Sequence, residues 1–205
     1  MRSAQGIPRL IVMLKFPAAG RVKTRLGRDI GMVPAAWWFR HQSARLLRRL
    51  ADPRWQIVVA LSPDTARPAP LWPAVPTMPQ GRGDLGARMA RLLRQPHPGP
   101  VCLIGGDIPG IRPAHIARAF AALGRAEFVF GPASDGGFWL CGLRHPSLAP
   151  AGLFEGVRWS GPHTLTDSLA TLQGRRHVLV DTLHDIDSAD DLRRAGQSAA
   201  PSCTP

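Results

Sequence analysis

The stretch R-L-I-V-M-L-K-F-P-A-A-G-R-V-K-T-R-L, Arg9 to Leu26, begins with a short apolar run, Arg9 to Leu14, and passes into a basic loop that turns at Gly20. A run this short, bounded by polar and turn residues, reads as a strand buried on both faces. The pattern returns at Trp55 to Leu61, Val101 to Ile104, Glu127 to Phe130, Phe138 to Leu143 and His177 to Val180. Between these runs lie segments of helical pattern: Pro34 to Leu50, Leu85 to Gln95, Pro113 to Leu123, Pro162 to Leu172, and Ser188 to Ala195 with Ser188 as its N-cap. Strand and helix alternate, which predicts an α/β fold with a mainly parallel sheet in three α/β/α layers. Ser62 to Pro79 carries six prolines and is expected to be a surface connection with one short edge strand near Val75. Trp37 and Trp38 on the Pro34 helix read as core or as an interface, with the core the expectation.

A chain of 205 residues, 44% of them hydrophobic, is sized for one domain with a real core. That domain is expected over residues 8–195, with a disordered tail at 196–205. No run approaches the ~20 apolar residues of a membrane span, and the first ten residues lack the apolar stretch of a secretory signal. A cytoplasmic location is the expectation. Cys102, Cys141 and Cys203 stand far apart, and no two of the seven histidines are three or four residues apart. Neither a disulfide framework nor a zinc site is written in that spacing.

The net charge of +12 raises the question of a polyanionic partner. Only two of the 26 basic residues are lysines, and the chain has no Asn, no Tyr and two Glu, so much of the arginine excess is compositional bias. Both lysines, Lys15 and Lys23, nevertheless fall inside one nine-residue stretch. Compact ammonium groups at two loop positions suit a phosphate site, with Arg21 and Arg25 adding charge. The loop is not a Walker A motif, because two residues separate Gly20 from Lys23.

Ligands of an open α/β sheet bind beyond the carboxyl ends of its strands, which directs attention to the residues after each run. In I-G-G-D-I-P-G, Ile104 to Gly110, Asp107 sits where a strand meets two glycines. It is placed to approach a metal–phosphate complex, or to shape the turn through its own hydrogen bonds. G-P-A-S-D-G-G-F-W-L-C-G-L, Gly131 to Leu143, reads as an Asp-Gly hairpin turn around Asp135, or as part of a site. Q-G-R-G-D-L-G-A-R-M, Gln80 to Met89, offers Gln80 and backbone N–H groups to a planar base. In D-I-D-S-A-D-D-L, Asp185 to Leu192, Asp190 and Asp191 fit the first turn of a helix, while Asp185 and Asp187 precede it.

A basic loop after the first strand, a strand-end Asp in mid-chain and a late D-x-D, in that order, resemble the nucleotide-diphospho-sugar transferase superfamily and its GT-A fold. More closely, F-P-A-A-G-R-V-K-T-R-L, Q-G-R-G-D-L-G-A-R-M, G-G-D-I-P-G, G-P-A-S-D-G-G-F-W-L-C-G-L, L-F-E-G-V-R-W-S and D-I-D-S-A-D-D-L resemble the small bacterial glycosyltransferase-like family called radical-SAM/selenodomain-associated transferase. The chain is similar, more distantly, to phospholactate and molybdenum cofactor guanylyltransferases. The resemblance implies a Mg2+ or Mn2+ ion held by Asp107 and Asp187 against the phosphates of a nucleotide. Lys23 and Arg25 would face those phosphates, with Lys15, Gly20 and Thr24 in the same loop and Gln80, Leu85 and Gly86 near the base. Asp135, Gly136 and Gly137, with Trp159 and Ser160, would form the acceptor side. This chain departs from the family in having Gly106 and Ile108 around Asp107, and Phe138 and Trp139 where a Tyr-containing pair is usual.

Two reactions share such a site. In nucleotidylyl transfer from a nucleoside triphosphate, attack at the α-phosphorus releases pyrophosphate, and Lys23 and Arg25 stabilise the leaving charge. In glycosyl transfer from a nucleotide-sugar, attack at the anomeric carbon releases the nucleoside diphosphate, and Asp135 serves as general base for a small-molecule acceptor. The expectation is the shared description, a metal-dependent transferase using a nucleotide-activated donor. A non-catalytic basic protein for nucleic acid or a nucleotide has only the +12 charge in its favour, since no aromatic RNA motif or recognition helix accompanies it.

Overall fold

The computed structural model describes residues 6–184. Seven strands, β1 (Arg9–Lys15), β2 (Gln56–Ser62), β3 (Thr77–Pro79), β4 (Val101–Gly105), β5 (Phe128–Pro132), β6 (Phe138–Leu143) and β7 (His177–Leu179), form one sheet in the order β3-β2-β1-β4-β6-β5-β7. The pairings β1–β2, β1–β4, β2–β3 and β5–β7 are parallel. β6 alone runs against its neighbours β4 and β5. The sheet is therefore mainly parallel, as the alternation of strand and helix predicts, and it lies between two helical layers.

Side chains on a strand alternate between faces, and the apolar runs fill both. Leu10, Val12 and Leu14 of β1 pack with α2 (Met32–Arg49) and α4 (Pro113–Ala122). Ile11 faces the opposite way, into a core with α3 (Leu85–Leu93) and, through Leu165 and Leu169, α5 (Thr164–Ala170). Leu10, Ile11, Val12 and Leu14 of β1 are withdrawn from water, at about 1.5–3 kcal/mol for each large aliphatic group. Among the described residues no helix is long and apolar enough to cross a membrane.

Three expectations need correction. The basic loop does not run unbroken to Leu26, because Thr24–Ile30 forms a short helix, α1, whose N-cap Lys23 is in the left-handed region at φ 45°. The proline-rich segment is not merely a surface connection: Ala69 and Trp72 are buried, and the Trp72 indole N–H donates to Ser43 Oγ on α2 at 2.9 Å. Its edge strand lies at Thr77–Pro79, two residues beyond Val75. Trp38 packs against the core, but Trp37 is 59% exposed and stacks on His41, 5.3 Å between ring centroids. The expected Ser188–Ala195 helix and the tail at 196–205 lie outside the described residues.

Candidate active site

From β1 the chain moves outward through β2 to β3, then returns to place β4 on the other side of β1. At that reversal the loops leaving β1 and β4 border a crevice beyond the strands' carboxyl ends. β6 runs the other way, so its beginning and the end of β5 reach the same edge. The result is a cleft of about 720 Å³.

The β1 loop and the β4 loop meet in this cleft. Val22 is buried and anchors the first loop, while Lys15, Arg21, Thr24 and Arg25 line the opening. Lys23 Nζ lies 3.5 Å from Asp107 Oδ2, with the lysine side chain 5% exposed and the aspartate side chain 55% exposed. Two residues assigned on sequence to phosphate and metal are thus direct counter-ions. Gly20 is not a lining residue; its φ of 72° supplies the turn before Arg21.

Gln80 lines the cleft but its amide is committed to the sheet. It is 3% exposed, and its Nε2 donates to Leu14 O at 3.0 Å and Ala60 O at 2.9 Å, bracing the ends of β1 and β2. Both amide hydrogens are used in this bracket, and Oε1 accepts from Arg88 Nη1 at 3.5 Å. Leu85 lines the cleft at the start of α3, whose N-cap Asp84 accepts from Ala87 N–H at 2.8 Å. Gly86 is set back. A Cβ there would stand 2.8 Å from Phe154 O and 3.0 Å from Trp159 Cζ2, so the glycine allows α3 to pass beneath Trp159.

On the other side, Asp135, Gly137, Trp159 and Ser160 line the cleft. The Asp-Gly turn between β5 and β6 is real: Asp135 Oδ1 accepts from Gly137 N–H at 2.9 Å, and Gly136 N–H donates to Ala133 O at 3.2 Å. The carboxylate thus shapes the turn at the lining of the cleft. Gly136 stands behind it at φ 87°, where a Cβ would meet Pro162 backbone atoms at 2.5 Å.

Several site residues were missed by sequence reasoning. Arg88 lines the cleft and ties the 80–84 turn to α3, its Nε donating to Gly83 O at 3.0 Å and Asp84 O at 3.2 Å. Its position inside Q-G-R-G-D-L-G-A-R-M was the available signal. The Arg158 guanidinium pairs twice with Asp167, at 2.8 and 2.9 Å, and holds that carboxyl down at about 2. Thr164 Oγ1 bonds to Arg158 O and Gly161 O, so this pair and one hydroxyl fix the segment carrying Trp159 and Ser160. Nothing local in the sequence marks a pair nine residues apart.

Among the described residues the cleft gathers five cationic side chains, Lys15, Arg21, Lys23, Arg25 and Arg88, against two carboxylates, Asp107 and Asp135. That surplus favours a polyanionic ligand. No group of three or more metal-ligating side chains occurs among the described residues, and Asp187 lies outside them. One half-exposed carboxylate facing a phosphate-sized opening still fits Mg2+ or Mn2+, which take one or two carboxylates and complete their shell with phosphate oxygens and water.

Residues 46–161 match the model of the family described as "Uncharacterized protein conserved in bacteria (DUF2064)". No curated protein matches the chain. Its structure is similar to a protein of Desulfovibrio desulfuricans G20 provisionally assigned as a nucleotide-diphospho-sugar transferase, with 25% identity over 97% of this chain and 90% of that one and a TM-score of 0.85. Rv0371c of Mycobacterium tuberculosis H37Rv, in complex with manganese, shares 20% identity over 95% and 100% of the two chains, with a TM-score of 0.51. The 2-C-methyl-D-erythritol 4-phosphate cytidylyltransferase of Thermus thermophilus shares 18% identity over 92% and 97%, with a TM-score of 0.54.

Proposed function

The chain belongs to the DUF2064 family, and from that premise we propose that it is a metal-dependent transferase that takes a group from a nucleotide-activated donor, glycosyltransferase-like in fold, and passes it to a small acceptor. The observation that carries the reading is the meeting of Lys23 and Asp107, from the loops after β1 and β4, at the reversal of strand order. Such a crevice is where this sheet architecture binds nucleotides. The likeness to a provisionally assigned nucleotide-diphospho-sugar transferase over nearly the whole chain supports the same class. So does the kinship proposed from the sequence motifs with the radical-SAM/selenodomain-associated transferases, as one GT-A-like unit over residues 8–195.

In this proposal Asp107 and Asp187 hold Mg2+ or Mn2+, which neutralises donor phosphate charge when bound. Lys23 and Arg25 stabilise charge on the leaving phosphates, with Lys15, Thr24 and Arg88 along the same wall. Leu85 lies beside the base. Trp159, Ser160 and Gly137 shape the acceptor side. Asp135 keeps Oδ1 on the Gly137 N–H and offers Oδ2 to the acceptor hydroxyl as a base. The five cations at the cleft favour a triphosphate donor, which makes nucleotidylyl transfer with release of pyrophosphate the second reading.

A thermal-shift panel of nucleoside triphosphates and nucleotide-sugars, each with Mg2+, with Mn2+ and with chelator, tests the proposal. A ligand at 100 times its Kd adds about 2.7 kcal/mol. A metal-dependent shift with nucleotide-sugars alone assigns glycosyl transfer, and one with triphosphates alone assigns nucleotidylyl transfer. No shift with any donor overturns the proposal and returns attention to nucleic acid.

A further inference from the structure

We infer that Lys23 is the built-in counter-ion of Asp107, and that the cleft consequently takes its divalent ion together with a polyphosphate and excludes the bare ion. The inference rests on the transferase reading and adds an order of entry to it. The Lys23 side chain is 5% exposed with its ammonium 3.5 Å from Asp107 Oδ2, so a largely buried positive charge stands beside the carboxylate assigned to the metal. Its backbone is left-handed, φ 45° and ψ 48°, a region strained for any residue with a Cβ. The surrounding loop, anchored by buried Val22, holds it there.

A bare dication approaching Asp107 meets this ammonium and a cleft with three more cationic than acidic side chains among the described residues. A dication already complexed by pyrophosphate or a nucleoside triphosphate carries net negative charge and is attracted instead, and one complexed by a nucleotide-sugar is near neutral and is no longer repelled. On its arrival the phosphate oxygens take over the ammonium and Oδ2 turns to the ion. The Lys23–Asp107 pair gives way to a Lys23–phosphate pair and an Asp107–ion contact that displaces a water of the ion, and no covalent bond is made or broken.

Equilibrium dialysis of the full chain with radioactive Mn2+, alone and with inorganic pyrophosphate, reads this directly. Lys23→Gly removes the charge and relaxes the left-handed backbone, which protects the fold; Lys23→Arg keeps the charge. The expected result is that Lys23→Gly binds bare Mn2+ about tenfold or more tightly than wild type and Lys23→Arg. Pyrophosphate should raise Mn2+ uptake strongly in wild type and less in Lys23→Gly. Equal affinity of wild type and Lys23→Gly for bare Mn2+ overturns the inference. Asp107→Asn separates this from failure of the transferase reading. If it abolishes uptake of Mn2+ with pyrophosphate, that reading stands whatever Lys23 does. If wild type takes up no Mn2+ even with pyrophosphate, the reading fails and the inference with it.

Discussion

Replacing Gln80 by Met tests whether this residue braces the sheet or reads a base. Met keeps the length and most of the volume of Gln, so the cleft wall remains filled while both donors disappear. Two buried donor bonds are lost, to Leu14 O at 3.0 Å and Ala60 O at 2.9 Å, together with the longer, part-buried bond that Oε1 accepts from Arg88 Nη1 at 3.5 Å. At about 0.5–1.5 kcal/mol net for each, the variant should be less stable by roughly 1–3 kcal/mol. For a protein of this size one kcal/mol moves Tm by about 2–4 °C, which centres the expected fall near ~6 °C. Calorimetry without ligand measures it, and titration of a nucleotide on the folded variant measures any separate loss of affinity. Because the amide nitrogen has no hydrogen left for a ligand, affinity should fall by no more than the loosening of the β1 and β2 ends and of Arg88 conveys. An unchanged Tm with nucleotide binding abolished would refute the bracket and restore Gln80 as a base contact.

Three further outcomes follow from the same structure. Asp107→Asn should remove the metal-dependent thermal shift while leaving the ligand-free Tm within about 2 °C, since its side chain is half-exposed; a full shift in the variant would remove Asp107 from the metal site. Gly136→Ala should destabilise by about 2–4 kcal/mol in urea unfolding, because φ is 87° and the new Cβ would meet Pro162 backbone 2.5 Å away; wild-type stability would show that this turn moves freely. His115 is held below its ordinary pKa, chiefly by burial, with Arg118 and Arg112 adding to the fall and Asp181 opposing it, and its Nδ1 accepts from Arg112 N–H at 3.2 Å. The unfolded chain therefore protonates first, so this contribution is complete above about pH 6.5 and is lost as pH falls through the lower folded value. His115→Gln should flatten the decline in Tm below pH 6.5, and parallel curves for the two proteins would exclude His115 as its source.

Strands were the most legible part of the sequence, because apolar runs as short as V-C-L-I at 101–104 have few ways to be buried other than inside a sheet. The helix α1 was hidden for the opposite reason: seven residues with Gly27 inside, no side-chain cap and an N-cap in the left-handed region give no periodic signal. Burial of Trp72 was masked by the prolines around it, which forbid a helix but do not prevent packing on α2. At the site, the sequence placed Lys23 and Asp107 separately, and only the strand order brings them within 3.5 Å. The bracing by Gln80 was not legible, because a buried amide bracing two strand ends and an amide reading a base have the same sequence signature.

The reversed strand β6 divides the cleft along the chain. Everything proposed for the nucleotide, apart from Asp187, comes from residues 15–107, carried on the all-parallel half of the sheet. Everything proposed for the acceptor comes from residues 135–160, carried on the half that begins with β6. Within the sheet the two halves join at the antiparallel pairing of β4 with β6, and outside it α3 packs beneath Trp159. An architecture of this kind is modular: exchange of the segment from β5 to α5 between relatives would recast the acceptor while leaving the donor wall, and its chemistry, inherited whole.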